Sequence, residues 1–208
     1  MKQDTTNLFV FIDDFCKATD LYISHHLISE NQKLYNPTRS PAITISEILT
    51  IVLLYQKSPC KNFKYFYHSY LQYTSEFPNL VSYERFVALK PRILGHLQML
   101  LQWLISLSHK TGISFVDATS VTVCYNKLIS RNKVFRDFAA IGKTTKGWFY
   151  GFKLHLIISD KGEIHGAKLT KGNVDDRVPV PTLAKNLTGL VFGDKGYIKM
   201  ELFIRLPA

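Results

Sequence analysis

Cysteine is scarce in this chain: three among 208 residues, at Cys16, Cys60 and Cys124, far apart and odd in number. No CxxC or Cys/His pair stands at zinc-binding spacing, which argues against a zinc ribbon and against a disulfide framework. Reduced thiols in a cytoplasmic protein are the expectation. Long hydrophobic runs are missing too. The N-terminus, MKQDTTNLFVFIDDFC, breaks its one apolar stretch with Asp13 and Asp14, so it reads as neither a signal peptide nor a membrane span. No internal repeat or low-complexity tract is present. Acids are in deficit, 16 against 26 Lys and Arg, for a net charge of +10. A surface this basic attracts polyanions, with nucleic acid as the leading partner class and an anionic membrane as the second. An apolar fraction of 46% and a charged fraction of 20% fit a folded chain of one or two domains.

What is present falls into two halves with different periods. Up to about residue 110, apolar residues recur at helical steps, as in Leu8, Phe11, Ile12, Phe15 and Thr19. ITISEI carries a helix start: Thr44 as N-cap, Glu47 three residues on, and Ile43 with Ile48 placed for a hydrophobic staple. That helix should stop before Pro59. CKNFKYFYHSYLQY reads as another helix, and SYERFVALKPRILGHLQMLLQWLISLSHK as two helices with a break or kink at Pro91. Short helices on a basic chain suggest a helix-turn-helix-like DNA-binding region. Phe63, Tyr65, Phe66 and Tyr67 could stack on bases, but aromatics at helical spacing are more often core, and core is expected for most of them.

After Gly112 the period changes. GISFVDATSVTVCYN reads as a strand, GWFYGFKLHLIISDKGEIHGAKLTKGN as a hairpin turning at SDKGE, DDRVPVPTLAKNL as a short helix, GLVFGD as a fourth strand, and GYIKMELFIRL as a second helix. The first three strands can form an antiparallel meander. The fourth follows a helix and can return parallel to the first by a crossover. That would set two aspartates side by side, Asp117 and Asp194, each near the C-terminal tip of its strand. A carboxylate ending a buried strand is costly unless paired or bound to metal, and two of them repel. Mg²⁺ or Mn²⁺ between them resolves the conflict and suits two-metal phosphoryl transfer. Either aspartate alone is better read as a turn or helix cap. Together, on a basic chain, they favour metal.

FVDATSVTVCYN, GKTTKGWFYGFKLHLIISDKGEIHGAKLTKGNVDDR and LVFGDKGYI resemble the catalytic blocks of bacterial insertion-sequence transposases of the DDE superfamily. The resemblance runs from about Ile113 to the end. It implies an α+β chain: a helical DNA-binding region over 1–110, then an RNase-H-like mixed sheet with flanking helices over 111–208. It implies that Asp117 and Asp194 are the first two catalytic acids and ligands of Mg²⁺ or Mn²⁺. The activity implied is cutting an element's ends and joining them to target DNA. The family's third acid is a glutamate on a helix beyond a fifth strand. Glu201 falls on the wrong helix for that role, so the expectation is an incomplete catalytic domain lacking its C-terminal strand and Glu-bearing helix, with impaired activity. The alternatives are a non-catalytic DNA-binding remnant that competes for element ends, and a junction-resolving nuclease. Expected partners are double-stranded DNA and further copies of the chain, with no membrane and a location at the nucleoid.

Other residues divide between function and structure. Lys127, Arg131, Lys133, Arg136, Lys143 and Lys146 lie among Phe135, Phe138, Trp148, Phe149 and Tyr150, a mixture that suits DNA backbone and frayed end bases. The charges are expected to touch DNA and most of the aromatics to be core. IGKTTKG is not a P-loop, because the glycine required five residues before Gly142 is Asp137. Asn173, Asp176 and Lys195 are candidates to support the site, with helix capping by Asp175 or Asp176 as the competing reading. His155 could face the site, although a structural hydrogen bond is the plainer role. His25, His26 and His165 have no partner at metal spacing.

Overall fold

The computed structural model describes residues 2–26, 41–72 and 76–197. The chain divides into two compact units, Met1–Gln102 and Trp103–Ala208.

The first unit is helical. Helix α1 spans Lys2–His26 and buries Ile12, Phe15, Cys16 and Thr19, a stripe at the expected three- and four-residue steps. Helix α2, Ile45–Lys57, packs against α1 and begins with the expected capping box. Thr44 Oγ1 accepts from the Glu47 N–H at 3.1 Å, and the Glu47 carboxylate accepts from the Thr44 N–H at 2.7 Å. Ser46 donates its hydroxyl to Asp13 at 2.7 Å, and Lys17 pairs with the same carboxylate. Helix α3, Phe63–Tyr65, is capped by Asn62 and widens into a π-helix over Phe66–Leu71. Helix α4, Tyr83–Leu89, runs through a 3₁₀ turn at Lys90–Ile93 into α5, Leu94–Leu107. Pro91, which has no N–H to donate, sits in that turn and makes the expected kink. Phe66, Tyr67 and Phe86 are fully buried and Phe63 stacks on Phe86 at 5.4 Å, so three of these rings are core. Tyr65 alone of the four candidate aromatics is largely exposed, at 60%. Burial raises the Tyr67 phenol to about 12, and its hydroxyl donates to the Val81 carbonyl at 2.6 Å.

The second unit is a five-stranded mixed sheet: β1 Ile113–Cys124, β2 Ala140–Thr144, β3 Gly147–Ser159, β4 Ile164–Lys171 and β5 Leu190–Phe192. Strand β1 pairs antiparallel with β3, β3 pairs antiparallel with β4, and β5 lies parallel to β1, as the crossover argument required. Strand β2 is a correction, since four strands were expected. It pairs with residues 147–151 of β3, on the edge that β4 occupies further along. Gly142, the residue behind the rejected P-loop, lies within β2, where an added Cβ would meet the Gly172 carbonyl. The helix after β4 is only Val180–Leu183 (α6). Val180, Ala184 and Leu187 pack on Val116 and Ile157 beneath one face of the sheet. Each large apolar side chain so buried contributes about 1.5–3 kcal/mol. Among the described residues, no helix is long and apolar enough to cross a membrane. All three cysteines are free thiols.

At Gly151, where β3 passes β1, an added Cβ would stand 2.1 Å from the Val121 carbonyl oxygen. Backbone cannot yield there cheaply. Gly151→Ala should therefore destabilise the sheet by about 1–3 kcal/mol, read as a lower urea midpoint. An unchanged midpoint would show that β1 and β3 have room to separate.

Candidate active site

Strands β1 and β5 carry the two aspartates to the same end of their shared ladder. Ile113 pairs with Leu190, Ser114 with Val191 and Phe115 with Phe192. Asp117 and Asp194 each follow two residues beyond the last of these pairs, at the end of the shared ladder. Neighbouring strands lie about 4.8 Å apart. Strand alternation puts Asp117 with Phe115 and Leu156, on the face opposite Val116 and Ile157. The rings of Phe115 and Phe192 stack at 5.7 Å across the same two strands.

Two premises about these carboxylates are corrected. β5 is not a buried strand: Leu190 is 62% exposed and Phe192 47%. Both aspartates are exposed as well, so no buried charge demands a metal. Asp117 is also not at the tip of its strand, since β1 continues to Cys124. What ends there is its pairing with β5. Of the capping roles weighed from sequence, that of Asp194 holds, at the turn after it, whereas Asp117 has no turn to cap because β1 runs on past it. Asp117 Oδ1 accepts from the Ala118 N–H at 2.8 Å, and Asp194 Oδ1 accepts from the Gly196 N–H at 2.8 Å. The turn Lys195–Tyr197 follows, with Lys195 exposed. The expected helix and Glu201 lie outside the described residues, as do the side chains of His25 and His26.

The helix-covered face holds a second set of polar groups. Lys153 Nζ donates to the Val174 carbonyl at 3.0 Å and stands 2.9 Å from Asp176 Oδ1, tying β3 to the loop before α6. Breaking such a partly buried pair at one partner is usually costly. Asp175 folds onto Arg177, whose guanidinium and backbone N–H hold its carboxyl well below the usual carboxylate range. Neither Asp175 nor Asp176 caps α6, whose start is Pro179 with no side-chain cap. Asn173 is exposed in the same loop. Tyr197 is buried against this set, and desolvation, then the charge of Asp176, raises its phenol.

His155 does not share Asp117's face. It is fully buried, paired across β1 with Ala118, with Nε2 2.8 Å from Thr170 Oγ1. Thr170 donates its own proton to the Lys171 carbonyl, so its oxygen accepts from His155 Nε2–H. Nδ1 then carries only a lone pair, and no group among the described residues bonds to it. The plainer, structural role holds. Burial lowers the imidazole below its ordinary value of 6.5.

The six basic candidates, Lys127, Arg131, Lys133, Arg136, Lys143 and Lys146, are all exposed. Their aromatic neighbours split: Phe149 and Tyr150 are buried, whereas Phe138 and Trp148 are exposed at 65% and 63% and Phe135 at 39%. The expectation that most are core is corrected. A cavity of about 270 Å³ opens here, between the far end of β1 and the β2–β3 turn. Its lining includes Ser120, Thr122 and Tyr125, which the sequence did not single out. Only the alternation of Ser120 and Thr122 within DATSVT could have signalled it.

Residues 107–208, about half of the chain, match the family described as the transposase DDE domain. No curated protein and no solved structure matches the chain.

The buried His155 sets a pH dependence. The unfolded chain takes up a proton near pH 6.5, while the fold resists protonation to a lower pH. Stability is therefore full above 6.5, falls as pH drops through that value, and levels off below the lowered one. The urea midpoint should fall between pH 7.5 and 5.5, and His155→Gln should shrink that fall. An equal fall in the variant would place the sensitivity elsewhere.

Proposed function

We propose, from the premise that the chain belongs through residues 107–208 to the DDE-superfamily transposases, that it cuts the ends of a mobile element and joins them to target DNA by phosphoryl transfer. The placement of Asp117 and Asp194 beyond the same end of the β1–β5 ladder carries this reading. The pair offers exposed, all-oxygen donors, the chemistry Mg²⁺ or Mn²⁺ takes, so it fits such an ion. When bound, a divalent ion supplies Lewis-acid activation of an oxygen nucleophile and of the leaving oxygen. The protein's part is to fix the donors. One backbone N–H holds Oδ1 of each carboxylate, which leaves Oδ2 for a ligand. The exposed cations from Lys127 to Lys146 neutralise DNA phosphates, and the helical region over 1–110 supplies further DNA contacts. Such a substrate would place the protein at the nucleoid.

A second reading is a DNA-binding protein without cleavage. One observation favours it: among the described residues, no group of three or more His, Cys, Asp or Glu side chains is placed to hold a metal ion.

Strand cleavage and joining on element-end DNA with Mg²⁺ or Mn²⁺ separates the two. Under the first reading, Asp117→Asn and Asp194→Asn should each lower the rate at least about 100-fold, as loss of several kcal/mol of transition-state stabilisation would. Salt-sensitive DNA binding without cleavage, unchanged in both variants, would establish the second. Cleavage without joining would point to a nuclease.

A further inference from the structure

We propose that the cavity between the far end of β1 and the β2–β3 turn binds one unpaired DNA nucleotide, with its base stacked on Trp148. The proposal rests on the reading that the protein acts on DNA.

Solitary exposed aromatics are ordinary on protein surfaces. Trp148 differs because its surroundings are built around it. Its carbonyl accepts from Asn126 Nδ2 at 2.9 Å, and its residue is paired within the β2–β3 ladder opposite Lys143. The turn beside it is pinned, since Thr144 Oγ1 accepts from the Lys146 N–H at 3.2 Å and donates to the Gly147 carbonyl. An indole that is 63% exposed is thus held on a rigid backbone. Tyr125, 78% exposed, also lines the cavity.

The rest of the lining selects the ligand. Lys146 is part of it, and Lys143 Nζ lies 5.5 Å from the centre of the Trp148 ring. Ser120, Thr122 and Thr144 contribute hydroxyls, and no carboxylate lines the cavity to repel an anion. A flat aromatic platform beside cations and hydroxyls suits a base with its phosphate. An unpaired end base offers both faces to the platform, whereas the terminal pair of a blunt duplex offers one and an internal pair none. The cavity opens on the sheet face opposite Asp117, because Ser120 and Thr122 stand an odd number of residues past it on β1.

The test uses the full chain, a blunt duplex, and the same duplex with a short single-stranded overhang. The overhang should bind more tightly and quench tryptophan fluorescence. Trp148→Ala should weaken overhang binding roughly 5- to 150-fold, the span of stacking on one aromatic platform, and weaken blunt-duplex binding by much less. Trp148→Phe should keep most of the affinity and lose the quenching, with Trp103 as the remaining tryptophan. Equal weakening for overhang and blunt duplex would overturn the proposal, and so would quenching that survives in Trp148→Phe. In both of those outcomes duplex binding persists and the DNA reading stands. Absence of binding to either DNA at low salt would overturn both.

Discussion

The three-residue parallel ladder between β1 and β5 is the constraint on which the site depends. Its register brings Asp117 and Asp194 each two residues beyond the last pair, at the same end of the ladder. A slip of one residue would move each side chain of β5 to the other face of the sheet and separate the pair. A ladder this short does not hold its own register. Burial does so, through Val180, Ala184 and Leu187 against Val116 and Ile157, because the crossover segment that carries these residues also delivers β5. The Leu190 N–H, bonded to the Gly112 carbonyl at 2.8 Å, fixes where the pairing begins. Apolar packing on one face thereby positions the carboxylates of the other.

The two faces divide the chemistry. Beneath the sheet, Lys153 pairs with Asp176 and His155 with Thr170, while His155 Nδ1 and the Tyr197 hydroxyl have no hydrogen-bond partner among the described residues. The first pair ties the loop before α6 to β3, and the second joins β3 to β4. The exposed aspartates make only local backbone hydrogen bonds and retain oxygen atoms for a ligand. The basic residues lie in the segment between β1 and β2, which includes a 3₁₀ helix over Asn126–Arg131, and with Trp148 around the β2–β3 turn.

Much of this was legible in the sequence because it follows from pattern and topology. Alternation in FKLHLIIS, the turn at SDKGE and a helix before GLVFGD were enough to set β5 beside β1 and so to pair Asp117 with Asp194. The capping box at Thr44 and Glu47 was equally plain, since both partners are local. β2 was not legible: AIGKT is short, has little alternation, and is held by the close approach of Gly142 to Gly172. The burial of β5 was overestimated, because an apolar tripeptide reads the same on an edge as in a core. Leu190 and Phe192 are in fact exposed. The face occupied by His155 follows only from its register against Ala118, which no local pattern encodes.

The central claim is that Asp117 and Asp194 form one divalent-metal site, and calorimetric titration of the full chain with Mn²⁺ tests it most directly. The account predicts saturable binding that Asp117→Asn and Asp194→Asn each weaken strongly, with the double variant little worse than either single one. Binding that is unchanged in the single variants, or that falls by independent, additive amounts, would contradict it.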